Sequence, residues 1–223
     1  GHGDYRMIVL APSSIQESYD LTKLGFDLSD RYRSVCMILS DGLLGQMMEG
    51  LEINDEQELP RASEKPWALT GACGRKPNII QSLFMRRDDV EKNNLVLQKK
   101  YRRISSREVR YEEKFLKDAK LVIVAYGSMS RIAGAVVDGL RKQGQRVGLL
   151  RPISLWPFPA KALEKVSQKC KKFLVVEMSY GQMVEDVKLS VGKGASVHFY
   201  GRSGGGIPTE KQITREVKKV IEL

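Results

Sequence analysis

The sequence predicts an α/β protein: one incomplete strand–helix–strand unit, a charged connecting segment, and a complete doubly wound domain. Three observations carry this reading. Short apolar runs recur that are too short for helices. Between them lie stretches whose apolar residues return every three or four positions. From Lys120 onward the two kinds of segment alternate without interruption.

Arg6–Ala11 is a buried strand, closed by Pro12-Ser13-Ser14. Ser14-x-x-Glu17 forms a capping box, in which the hydroxyl accepts from an early helix amide and the carboxylate reaches back to the cap. Ile15, Tyr19, Leu24 and Leu28 continue a helix to about Asp30, Val35–Leu39 is the second strand, and Asp41-Gly42 turns into a short helix over Leu43–Met48. Strand, capped helix and strand with such short joins make a parallel unit. Residues 51–115 break the rhythm, opening acidic at Glu52, Asp55, Glu56 and Glu58 and continuing through Pro60, Pro66 and Pro77. The charged stretch Ile79–Tyr111 reads as one or two amphipathic helices, so this segment is a linker with a helical arm. Leu121–Tyr126 then starts the second domain. Ile132, Val136, Val137 and Leu140 stripe a helix that ends at Gly144. Arg146–Leu150 is a strand, Arg151–Pro159 a proline-rich connection, Ala160–Cys170 a helix and Phe173–Met178 a strand. A helix over Tyr180–Val191, a strand at Ser196–Tyr200, the glycine-rich loop Gly201–Gly206 and a final helix through Ile213, Val217, Val220 and Ile221 complete the domain.

With 42% hydrophobic and 29% charged residues in 223, the chain is globular and not disordered. No apolar stretch approaches the ~20 residues of a membrane-spanning helix. The formal charge of +10 is unevenly placed: residues 1–85 carry −4, residues 86–114 carry +4 and residues 115–223 carry +10. That basic half is either a set of solvated lysine-rich helix faces or a surface for an acidic partner. Aromatics do not interleave with the basic groups as a single-strand binder requires, and no nucleic-acid partner is expected. Cys36, Cys73 and Cys170 are scattered, with no CxxC and no Cys/His cluster, so neither an iron–sulfur nor a zinc site is expected on this chain. An odd count without a signal peptide fits a reducing, cytoplasmic setting.

The chemistry-bearing candidates are few. Gly201–Gly206 lies between a strand and a helix whose start carries a second capping box, Thr209-x-x-Gln212. Two readings stay open for Arg202, Ser203, Gly204, Gly205 and Gly206: an anion cradle of free amides, or a tight turn needing positive backbone angles. A dinucleotide fingerprint would follow the first strand of its fold, not the last. Glu177, Tyr180 and Gln182 follow a strand end where a parallel sheet faces its crevice, and are candidates for a crevice edge or interface. Asp41-Gly42 occupies the equivalent place in the first unit. His198 has no histidine companion, no Ser-His-Asp set can be assembled, and no catalytic or metal-ligating residue is assigned. A nucleotide- or anion-binding module remains the alternative of another class.

Several strings go further: Gly1–Glu17 (GHGDYRMIVLAPSSIQE), Asp41–Met48 (DGLLGQMM), Val124–Ser128 (VAYGS), Leu150–Pro159 (LRPISLWPFP), Val175–Met183 (VVEMSYGQM) and Gly201–Thr209 (GRSGGGIPT). In this order they resemble the alpha-type subunit of 2-oxoacid:ferredoxin oxidoreductases, of the 2-oxoisovalerate type first and the 2-oxoglutarate type next, with pyruvate a further possibility. The resemblance implies oxidative decarboxylation of a 2-oxoacid with coenzyme A, using thiamine diphosphate and Mg²⁺ shared with a beta-type subunit. It implies 4Fe–4S clusters in that partner, a gamma-type subunit, and ferredoxin as acceptor in a hetero-oligomer. It assigns residues 1–50 to the last part of a pyrimidine-binding domain, 51–115 to the linker and 116–223 to a transketolase-C-terminal-like domain. The family's activating glutamate falls outside the present sequence. Ser13, Ser14, Gln16, Glu17, Asp41, Gly42 and Gln46 match family motifs near the cofactor crevice and are expected at its periphery. This polypeptide alone is expected to be inactive.

Overall fold

A computed structural model describes residues 3–53 and 65–222; the acidic run at Asp55–Glu58 and Pro60 lie outside the described residues. The first half is built on β1 (Ile8–Leu10), α1 (Ile15–Tyr32) and β2 (Cys36–Ile38). The two strands are parallel, with Ile8 opposite Cys36 and Leu10 opposite Ile38. Ser14 caps α1 as its spacing requires, the hydroxyl accepting from the Glu17 amide at 3.1 Å. The expected helix over Leu43–Met48 shrinks to a single 3₁₀ turn at Leu44–Gln46.

Among the described residues of the connecting segment one helix forms, α2 (Arg87–Arg107). It lies on the first sheet, burying Tyr101 and Ile104 among Ile8, Leu10, Leu28 and Tyr32. The buried Tyr32 hydroxyl donates to Glu108 at 2.6 Å, closing this cluster at the end of α2.

The second half contains β4 (Leu121–Val124), α3 (Ser128–Lys142), β5 (Val147–Pro152), α4 (Ala160–Lys169), β7 (Lys172–Glu177), α5 (Met183–Ser190), β8 (Ser196–Gly201) and α6 (Glu210–Glu222). Its sheet runs β3-β5-β4-β7-β8, with β3 (Tyr111–Lys114) antiparallel at the edge and the other four strands parallel. Helices α3 and α6 cover one face through Ala133, Val136, Val137, Leu140, Ile213 and Val217. Helices α4 and α5 cover the other through Ala162, Leu163, Met183, Val184 and Val187. This is the doubly wound arrangement expected from the alternation, with one strand added.

Two strands were not legible. β3 reads Tyr-Glu-Glu-Lys, a charged edge strand without an apolar pattern. β6 (Ser154–Trp156) hides between prolines and joins the first sheet, pairing antiparallel with β1 so that Val9 faces Trp156. The chain therefore leaves one sheet at Pro152 and enters the other at Ser154, with only Ile153 between. α5 begins at Met183, later than expected, because residues 178–182 first wrap around the Glu177 carboxylate. Strand β5 needs glycine at 148: a Cβ there would stand 2.8 Å from the Phe115 carbonyl oxygen. Among the described residues no helix is long and apolar enough to cross a membrane.

Candidate functional site

From β4 the chain returns through α3 on one face to β5; from β7 it leaves through α5 on the opposite face to β8. Where such connections diverge, the C-terminal ends of parallel strands open a crevice. Here the crevice is walled by the first half of the chain. A cleft of about 490 Å³ is lined by Asp41, Gly42, Leu43 and Gln46 from the turn after β2, Met178 after β7, and Ser203, Gly205, Gly206 and Ile207 after β8.

Asp41 joins the two halves. One carboxylate oxygen accepts from the Leu44 amide at 2.9 Å and closes the 3₁₀ turn; the other accepts from the Ser128 amide, the first of α3, at 2.8 Å. A carboxylate at this helix end also complements the helix dipole. Gly127, at φ +59°, makes the approach possible, since a Cβ would sit 2.7 Å from the same carboxylate oxygen. Burial, and then the negative charges of Glu177 and Asp41, push the Tyr126 phenol above the ordinary tyrosine range, so it stays protonated.

Glu177 is not a crevice-edge group. Only 1% exposed, it turns inward and accepts from the Ser179 hydroxyl and from the amides of Gln182, Met183 and Val184, capping α5. Tyr180 and Gln182 stand exposed beside it. In the glycine-rich loop the Gly206 amide donates to the Ser203 carbonyl at 3.2 Å, and Gly204 and Gly205 take φ of +63° and +84°. The Arg202 guanidinium donates to the Ile207 carbonyl at 3.2 Å, so it braces the loop. The turn reading accounts for this geometry, and Thr209 and Gln212 exchange the expected capping hydrogen bonds.

The remaining candidates group elsewhere. Glu17 accepts from the Ser13 amide at 2.7 Å and from the guanidinium of Arg151. Burial works to raise the Glu17 carboxyl but is outweighed by Arg151 and the Ser13 donors, which hold it below the usual carboxylate range. Ser13 and Arg151 border a second cleft of about 420 Å³, shared with Glu112, Arg131 and Asp138. Gln16 turns to the backbone of Glu52. The structure thus brings Asp41, Gly42 and Gln46 together with Ser203, Gly205 and Gly206, while Glu17 pairs with Arg151 and is bonded in turn by Ser13 and Ser14. Sequence reasoning did not single out Arg151, Tyr126, Leu43, Met178 or Ile207. An arginine inside the apolar run Val147–Leu150-Arg151 was the one available signal.

Among the described residues no group of three or more His, Cys, Asp or Glu could hold a metal ion. The cleft offers an apolar lining from Leu43, Met178 and Ile207, an amide from Gln46, and a carboxylate already engaged. It can shape and orient a ligand, and it lacks an acid–base pair of its own.

Comparison with known proteins agrees along the whole chain. Residues 2–112 match the family model "Pyruvate flavodoxin/ferredoxin oxidoreductase, thiamine diphosphate-binding", and residues 119–213 match "Pyruvate:ferredoxin oxidoreductase core domain II". The ketoisovalerate oxidoreductase subunit VorB of Methanothermobacter marburgensis is 42% identical over 99% of this chain and 62% of its own length. The 2-oxoglutarate synthase subunit KorA of Methanocaldococcus jannaschii is 30% identical over 97% of this chain and 64% of its own. The chain therefore spans a little under two thirds of these relatives. The fold is shared with a 2-oxoglutarate:ferredoxin oxidoreductase from Magnetococcus marinus, at TM-score 0.75 and 20% identity, covering 99% of this chain and 43% of that one.

Proposed function

Because the chain belongs to the 2-oxoacid:ferredoxin oxidoreductase family, we propose that it serves in a cytoplasmic hetero-oligomer oxidising 2-oxoisovalerate or a related branched-chain 2-oxoacid to the acyl-coenzyme A. Ferredoxin is the electron acceptor. The observation that carries the substrate class is the 42% identity to a ketoisovalerate oxidoreductase subunit, against 30% to a 2-oxoglutarate synthase subunit.

In this reading residues 1–50 end a pyrimidine-binding domain, residues 51–115 link it, and residues 116–223 form a transketolase-C-terminal-like domain. Thiamine diphosphate supplies the nucleophilic carbon for decarboxylation when bound. The sequence carries no GDG…N signature for its metal–diphosphate end. That end, with Mg²⁺ and the iron–sulfur clusters, belongs to the beta-type subunit; a gamma-type subunit completes the assembly. The role left to this chain is mechanical: the Asp41–Gln46 turn and the Ser203–Ile207 loop form one wall of a shared pocket and exclude water from it. Of the candidate residues, Asp41, Gly42, Gln46, Ser203, Gly205 and Gly206 border that wall. Ser13, Ser14, Gln16 and Glu17 brace the helix behind it.

The test is coenzyme A-dependent reduction of methyl viologen by the full-length chain co-expressed with its companion subunits. Turnover is expected with 2-oxoisovalerate at a kcat/KM above those for 2-oxoglutarate and pyruvate. Preference for 2-oxoglutarate would reassign the substrate, and no turnover with any 2-oxoacid would overturn the reading.

A further inference from the structure

The cleft is lined by three segments, the first more than 130 residues before the other two in the sequence, and the Asp41 side chain ties that first segment to the second half of the chain. We propose that Asp41 is a positioning residue: its carboxylate clasps the Leu43–Gln46 wall to the β4–α3 turn and thereby sets the shape of the pocket presented to the 2-oxoacid and its cofactor. This rests on the functional reading above and adds the residue that holds the site in register.

Three features of the geometry carry the inference. The two carboxylate oxygens are divided between the halves, one on Leu44 and one on Ser128. No neutral isostere reproduces this, because an asparagine carbonyl can take one amide while its NH₂ meets the other amide donor to donor. Gly127 is matched to the clasp, its missing Cβ leaving the space that the Asp41 oxygen occupies, at a positive φ that disfavours side chains. Finally, Asp41 and the next residues line the cleft directly, so displacing the carboxylate moves the wall itself. Other ties between the halves lack this last property. Arg131 donates to Glu49 at 2.6 Å, and neither borders the cleft.

The experiment compares wild type, Asp41→Asn, Gly127→Ala and Glu49→Gln in the assembled complex, by viologen reduction, thermal unfolding and hydrogen exchange. A moved wall weakens ground state and transition state alike, so Asp41→Asn and Gly127→Ala should each raise KM for 2-oxoisovalerate about tenfold with kcat nearly unchanged. Glu49→Gln should lower the melting temperature and leave KM alone. The Leu44 and Ser128 amides should exchange faster in Asp41→Asn than in wild type. An unchanged KM in Asp41→Asn overturns the proposal, as does a fall in kcat and melting temperature without a KM change. If wild type turns over no 2-oxoacid, the functional reading fails; the exchange of these two amides still judges the clasp, and unaltered rates refute it.

Discussion

Replacing Arg151 by methionine tests how the two halves are locked together. The Arg151 side chain is 6% exposed and serves Glu17 and Glu112, whose side chains are 27% and 59% exposed. Glu112 is solvated and contributes little. Glu17 is different, because loss of the guanidinium strands a largely desolvated carboxylate, a change that costs about 3–5 kcal/mol at full burial. The remaining exposure of Glu17 and its bond from the Ser13 amide bring this to about 2–3 kcal/mol, and methionine fills the space of the arginine stem. At about 2–4 °C per kcal/mol for a chain of this size, the melting temperature should fall roughly 5–10 °C.

The pH dependence gives this prediction a signature. In the wild type Glu17 titrates below its ordinary value of 4.5, so its contribution is full above that pH and is lost as pH falls through the lowered value. Without Arg151 the Glu17 carboxyl loses its strongest lowering partner and rises from its depressed value, so the variant loses less stability than the wild type as the pH falls. The stability gap between wild type and Arg151→Met should therefore narrow from pH 7 to pH 4. Urea midpoints at the two pH values measure it, and adding Glu17→Gln should restore most of the loss. A gap below about 1 kcal/mol at pH 7, or one equal at both pH values, would refute the reasoning.

Two other substitutions probe separate parts of the fold. Ile104→Ala, at a fully buried position of α2, should destabilise by about 3 kcal/mol in urea unfolding, because α2 is core to the first sheet. A loss below about 1 kcal/mol would mean that α2 does not pack there. Glu177→Gln weakens a carboxylate that accepts from four donors, at a cost of about 2 kcal/mol, and should speed exchange at the Gln182–Val184 amides. Unaltered exchange at those amides would show that the α5 cap lies elsewhere.

The repeated strands and helices of the second half were legible because each signal is local: Val136, Val137 and Leu140 share a stripe, and that stripe is buried. The Ser14 and Thr209 caps were legible for the same reason. What stayed hidden depends on partners far along the chain. Nothing near Ser154-Leu155-Trp156 says that β1, some 145 residues earlier, will pair with it. Arg151 in an apolar strand makes sense only with Glu17 opposite, and the charged run of β3 only as an edge. In the cleft, Asp41–Gln46 and the glycine-rich loop were each visible as turns, but their meeting is tertiary. Glu177 was noticed for its place at a strand end, where the inward or outward turn of one side chain is decided by amides that follow it.

The passage of the chain from β5 through Ile153 into β6 bears on how such a polypeptide can be divided. A break in the connecting segment would look harmless on a map of the gene. It would nevertheless deprive the upstream piece of its third strand and of Trp156, whose ring meets Tyr101 edge-on at 6.1 Å. The two modules share a woven seam, so they are expected to be inherited, expressed and exchanged together.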